Sequence, residues 1–170
     1  TEKPTLLQIG PKENKNLIRL AEALNGVNCQ LSIVGVLTLG QKEALSQNNI
    51  EYSNVVNISN EELKQQYEQT DLLAFVSTYE GFGMPIVEAQ IVGRPVITSN
   101  LLSMPEVAGD AAHLIDPYNV EDIRKGVLEI ISDETYRNML VEKGRVNAER
   151  FSVDTITAQY AEMYKQIFKS

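Results

Sequence analysis

Two glutamates with seven residues between them, Glu80 and Glu88, frame the run Gly81-Phe82-Gly83-Met84-Pro85-Ile86-Val87. Residue types in this order can hold a charged ligand. The two glycines let backbone come close to a bound molecule. Pro85 suits the first position of a helix, which leaves Gly83 and Met84 at the helix entrance. Their N–H groups would then point into the positive end of the helix dipole, where an anion is stabilised. Glu88 falls one turn inside that helix. A carboxylate there can accept hydrogen bonds from vicinal hydroxyls, as acidic residues do from ribose in dinucleotide sites. Taken singly, each residue has a plainer reading: Gly-Phe-Gly can be a tight turn, and a glutamate near a helix N-terminus can simply complement the dipole. A dinucleotide fingerprint fits worse, because the third glycine is missing and position 86 is Ile.

Other chemistry-bearing residues are fewer. Cys29 is the one cysteine, so no internal disulfide is possible and a reducing compartment is expected. It lies beside an apolar strand pattern and reads as a small buried hydrophobe rather than a nucleophile. His113, the sole histidine, sits in an apolar strand with no Ser or Cys partner and reads as buried and hydrogen-bonded. No Asp-x-Asp pair and no His/Cys cluster at ligand spacing occurs, so neither a metal nor another cofactor is expected. The net charge of −8 argues against non-specific binding to nucleic acid or anionic membranes. A small anionic ligand stays compatible, since a few backbone N–H groups and one lysine outweigh distant surface charge locally.

The elements that must position these residues alternate between short apolar runs and helical spacing. Strands are expected over 5–9, 30–35, 54–58, 71–77, 95–99 and 111–115. The run 71–77 is apolar at nearly every residue, which suits a parallel sheet covered on both faces. Asn14 reads as the cap of a first helix with Leu17, Leu20, Ala21 and Leu24 on one face. A weaker helix covers 39–47. Ser59 with Glu62 has the form of a capping box. Pro85 leads into a helix that Gly93-Arg94-Pro95 ends. Asn119 caps another helix, one more covers 134–148, and the last runs from Ser152 with Ile156, Tyr160, Met163, Tyr164 and Ile167 as an apolar stripe. That stripe is expected to pack mostly on the sheet. The whole reads as one α/β domain over residues 1–170, a Rossmann-like, doubly wound parallel sheet of about six strands with helices on both faces. No apolar run approaches the roughly 20 residues that span a bilayer, and no basic-then-apolar start resembles a secretory signal.

Taken together, the blocks resemble the C-terminal, donor-binding domain of retaining glycosyltransferases of the two-Rossmann-domain (GT-B) type, family 4, the group 1 glycosyl transferases. The resemblance covers nearly the whole chain: Ile9-Gly10, Lys15-Asn16, Ile33-Val34-Gly35, Glu61-Glu62-Leu63, Asp71-Leu72-Leu73, Glu80 through Ala89, Gly93 through Ser99, Met104 through Gly109 and Phe151-Ser152. It implies that Glu88 holds the ribose hydroxyls of a nucleoside-diphosphate sugar and that Glu80, the catalytic position, sits near the transferred sugar. Gly83 and Met84 would offer N–H groups to the sugar or diphosphate. Lys15 would neutralise the diphosphate as the leaving group gains charge; its plainer reading is a solvated lysine in the first helical turn. Ile58 would meet the nucleobase through its backbone, and Gly10, Gly81 and Phe82 complete the donor-binding set. The loop 99–106 would close over the donor, with Glu106 contacting it or bracing the loop. One departure is plain: many members carry Arg where this chain has Pro11, and Lys12 is the nearest substitute.

The resemblance further implies transfer of a hexose, mannosyl or glucosyl for example, to an acceptor hydroxyl with retention and without a metal, in polysaccharide or glycolipid synthesis. The acceptor would be held by an N-terminal domain that this chain does not contain, so transfer by the isolated chain is not expected. Any membrane contact would run through that domain, at the inner face of a membrane around a cytoplasmic enzyme. Two other classes share parts of this pattern: a nucleotide-sugar epimerase that processes the donor without an acceptor, and a non-catalytic nucleotide-binding α/β module.

Overall fold

The computed structural model describes residues 3–168. Six strands, β1 (Thr5–Ile9), β2 (Gln30–Val34), β3 (Tyr52–Val55), β4 (Leu72–Phe75), β5 (Val96–Ser99) and β6 (His113–Ile115), form one parallel sheet in the order β3-β2-β1-β4-β5-β6. The chain builds outward from β1 to β3 and then returns to lay β4 against the other side of β1. The strand order therefore reverses between β1 and β4, and their carboxyl-end loops diverge into the crevice where such sheets bind ligands.

Alternation along the strands explains why both faces are covered. Leu6, Leu31, Ile33, Leu72, Ala74 and Val76 face a core shared with α1 (Leu17–Leu24), α2 (Leu39–Gln47) and α6 (Val120–Ser132). Their neighbours Leu7, Leu73, Phe75 and Val96 face the opposite core, against α3 (Asn60–Gln69), α4 (Met84–Val92) and α5 (Met104–Ala108). A seventh helix, α7 (Glu134–Ala148), lies across α4 and α6. The doubly wound parallel architecture expected from the apolar runs is the one observed.

Capping follows local chemistry in most places. Ser59 Oγ accepts the Glu62 N–H while the Glu62 carboxylate accepts the Ser59 N–H at 2.7 Å, closing the capping box. The Ser59 N–H, and the Ser59 hydroxyl that also donates to the same carboxylate at 2.8 Å, hold the Glu62 carboxyl below its usual range. Ser59→Ala is expected to destabilise the fold by about 1 kcal/mol, read as a lower urea midpoint with unchanged slope. Asn119 caps its helix as expected, Ser152 caps the last one, and Thr38 with Gln41 forms a second capping box not expected from the sequence.

Several boundaries differ from expectation, each for a visible reason. The third strand is Tyr52–Val55 rather than 54–58, because the Asn54 amide is spent on the Ile33 and Gly35 carbonyls and Asn57 turns to φ +55°. The first helix is capped at Asn16, not Asn14; a 3-10 turn over Glu13–Lys15 intervenes and Asn14 points elsewhere. α4 begins at Met84 with Gly83 as its cap, so Pro85 is the second helical residue. The expected loop 99–106 contains the start of α5. β6 is shorter than 111–115, since Ala111 N–H turns back to Ala108 O. The last helix, α8 (Val153–Ile167), buries none of its residues: Tyr160, Met163, Tyr164 and Ile167 are all exposed. Both faces of the sheet are already covered, so the stripe has no sheet surface on which to pack.

Candidate functional site

Lys15 and Glu80 meet in the crevice between β1 and β4. Lys15 Nζ lies 2.6 Å from Glu80 Oε1, and each side chain is only 15% exposed. The lysine reaches there because of glycine and aromatic neighbours. Gly10 takes φ +91°, and a Cβ at that position would come within 3.0 Å of Lys15 Cε, so the lysine stem crosses where a side chain would otherwise be. The ammonium then lies 4.7 Å above the centre of the fully buried Phe75 ring, a favourable cation–π placement. Lys15 is thus a directed, half-buried cation and not a solvated lysine.

The loops on either side are tied together. Asn14 Nδ2 donates to Tyr79 O at 2.8 Å and to Glu80 Oε1 at 3.3 Å. Thr78 N–H donates to Asn14 O. Ser103 Oγ donates to the carbonyls of Glu80 and Phe82, fastening the loop after β5 beneath the glycine run. Asn16, buried and left-handed at φ +61°, donates from Nδ2 to Val76 O and Pro117 O and accepts from Arg19. Three carboxyl-end loops converge on that one side chain.

At the helix entrance Gly83 takes φ +108°, which an L side chain adopts only under strain. The N–H groups of Gly83 and Met84 meet no acceptor among the described residues. Gly81 and Phe82 are exposed above them, and Phe82 packs edge-on against Phe151 at 5.6 Å. Pro11 is a turn-builder: its ring lies against Gly35, and its carbonyl accepts from Gln41 Nε2. Lys12 next to it is exposed.

Glu88 stands apart from this ion pair. It faces α3, where the Tyr67 hydroxyl donates to Oε2 at 2.6 Å. Asn60, Leu63, Lys64, Ile91 and Val92 line a groove of about 340 Å³ beside them. Half-buried Ile58 immediately precedes the α3 cap, at the upper end of that helix. The expected site residues therefore form two groups, Gly10, Lys15, Glu80, Gly81, Phe82, Gly83 and Met84 around the crevice, and Glu88 toward α3, the helix that Ile58 precedes. Asn14, Ser103 and Tyr67 were not anticipated. One signal pointed to Tyr67: with Leu63 it is the apolar pair of an otherwise polar helix, and a phenol turned inward needs an acceptor.

The remaining candidates are quiet. Burial pushes the Cys29 thiol up, which keeps it protonated and unreactive. His113 is half-buried rather than buried, with Nδ1 2.9 Å from the Tyr136 hydroxyl. Among the described residues, no group of three or more His, Cys, Asp or Glu side chains is placed to hold a metal ion, and no helix is long and apolar enough to cross a membrane.

Comparison with known proteins bears on the fold and the family. The O-antigen chain mannosyltransferase B of Escherichia coli is 37% identical over 108 residues, which is 64% of this chain and 28% of that protein. Sucrose-phosphate synthase from Thermosynechococcus elongatus superposes with a TM-score of 0.86 at 22% identity, covering 99% of this chain and 46% of that one. Anabaena Alr3699/HepE, solved in complex with UDP-glucose, superposes with a TM-score of 0.83 at 20% identity, covering 96% and 49%. At these identities the two superpositions speak for the Rossmann-like fold seen in GT-B glycosyltransferases. The chain spans less than half the length of each of these proteins. Residues 2–147 match the family described as "Glycosyl transferases group 1", and this chain belongs to that family.

Proposed function

We propose that this chain is the donor-binding, C-terminal domain of a retaining family 4 glycosyltransferase, which moves a hexose from a nucleoside-diphosphate sugar to an acceptor hydroxyl. The observation that carries the reading is the Lys15–Glu80 pair, held in the crevice where the strand order reverses, beside a helix entrance with free N–H groups. Lys15 neutralises the diphosphate as it departs, and the Gly83 and Met84 N–H groups share that charge, so no metal is required. Glu80 lies beside the transferred sugar and orients it by its hydroxyls. Gly10, Gly81 and Phe82 let the donor approach, Ile58 meets the base through its backbone, and Glu88 accepts from the ribose. The UDP-glucose bound by the Anabaena relative and the mannosyl transfer named for the Escherichia coli one support a nucleotide-sugar donor and a hexose.

The acceptor belongs to an N-terminal domain that forms the opposite wall of the crevice, and the exposed stripe of α8 suits contact with that domain. Without both walls water is not excluded, so the chain alone binds donor and does not transfer it. The enzyme acts in polysaccharide or glycolipid synthesis, in the cytoplasm at the inner face of a membrane.

The test is calorimetric titration of the full-length protein with UDP, GDP, ADP and their hexose conjugates, alongside Lys15→Ala and Glu88→Ala. One nucleotide family is expected to bind, with affinity falling at least tenfold in each variant. Absence of binding by any of the nucleotides at millimolar concentration to folded protein overturns the reading.

A further inference from the structure

We infer that Tyr67 is a positioning residue for the nucleotide: its hydroxyl holds the Glu88 carboxylate so that the second oxygen is presented to the ribose. The inference rests on the donor-binding reading above and adds a residue to it. Tyr67 is itself anchored. Its ring is 2% exposed, packed within the core that includes Leu7, Leu73, Phe75 and Ile86. The end of its helix is locked by Thr70 Oγ1, which donates to Gln66 O and Tyr67 O.

Against this rigid donor stands a mobile type of acceptor. A glutamate carries three rotatable bonds and loses much rotamer freedom when it must meet a ligand in one geometry. The 2.6 Å contact uses one lone-pair site of Oε2. Among the described residues no other donor reaches the carboxylate, which leaves Oε1 free to accept. Burial first, then the hydrogen bond to Glu88 and the charge of Glu88, push the Tyr67 phenol far above its usual range. It stays protonated, and so remains able to donate to Oε2. Half-buried Glu88 is therefore prepared before ligand arrives, and the ordering cost falls on folding instead of on binding.

Calorimetric titration of the full-length protein with UDP, GDP and ADP, each beside its 2′-deoxy counterpart, separates the two layers of the argument. Wild type is expected to prefer the ribo form of the bound nucleotide at least tenfold. Tyr67→Phe, which keeps the ring and its packing, is expected to weaken the ribo form about tenfold and the deoxy form less than threefold, so that the preference collapses. In a Glu88→Ala background the same change is expected to have no effect on binding. A wild type that binds nucleotide without preferring ribose removes the role of Glu88 and this inference with it. A wild type that prefers ribose while Tyr67→Phe keeps that preference, or a loss that persists without Glu88, overturns the role of Tyr67 alone. Thermal unfolding of each variant identifies a purely structural effect, which lowers the midpoint and leaves the preference intact.

Discussion

Lys15→Met in the full-length enzyme is expected to slow sugar transfer about 10³-fold, the scale of removing one fixed electrostatic group from a developing anion. The same substitution strips the partner from Glu80, whose side chain is 15% exposed. An unpaired charge at that depth costs about 2 kcal/mol of stability, less than for a fully desolvated ion because water still reaches the site. The two effects are separable. Lys15→Met with Glu80→Gln is expected to recover most of the stability, because no charge is left alone, while transfer stays lost. Thermal unfolding and donor consumption, measured on the single and double variants, check both halves. Transfer within tenfold of wild type in Lys15→Met would remove the lysine from the leaving-group role.

A second large effect is expected away from the charged groups. Gly35 takes φ +128°, and a Cβ there would lie 2.7 Å from Cδ of Pro11, a ring fused to the backbone and unable to swing aside. Gly35→Ala combines backbone strain with a contact that the neighbour cannot relieve, and is expected to cost about 3 kcal/mol. At the size of this chain that lowers the unfolding midpoint by on the order of 10 °C. Gly26→Ala is the control. Gly26 also has positive φ, at +74°, but a Cβ there meets nothing within 4 Å, so only the backbone cost of about 1 kcal/mol remains. Equal losses in the two variants would mean that the Pro11 contact is not what makes Gly35 necessary.

The Pro11 contact also accounts for the departure from the arginine that many family members carry. Here the position joins the β1 and β2 loops, through the ring on Gly35 and the carbonyl on Gln41. On the donor-binding reading proposed above, phosphate binding falls on Lys15 and the helix entrance.

The sheet was legible because its signal is local. Continuous apolar runs such as Leu72–Phe75 identify buried parallel strands, and Ser59, Asn119 and Ser152 carry their capping partners within three residues. Errors arose where distant groups decided the outcome. Asn14 has the right type for a helix cap, but its amide goes to Tyr79 and Glu80, 65 and 66 residues away. Val56 and Ile58 look like strand, yet the pairing with β2 ends at Val55. The stripe on α8 has helical periodicity in full, and periodicity says that a face is apolar without saying what it meets. In the site, Glu80, Glu88 and Lys15 were marked by a sequence pattern. Tyr67 and Ser103 reach their partners across 21 to 23 residues of fold, and no local spacing encodes those contacts.

The amide of Asn16 sets an order of events on the ribosome. Its two acceptors, Val76 O and Pro117 O, lie 60 and 101 residues downstream. At about 5–20 residues per second, a nascent chain waits roughly 5–20 s between making this asparagine and making its last partner. Until then the left-handed turn that aims Lys15 has no anchor on the far side of the sheet. A product truncated before Pro117 would carry every residue proposed for the nucleotide site and still lack one of the two acceptors that hold Asn16 in place. On the donor-binding reading proposed above, donor capture is consequently a property of the assembled sheet, acquired only once Pro117 has been made.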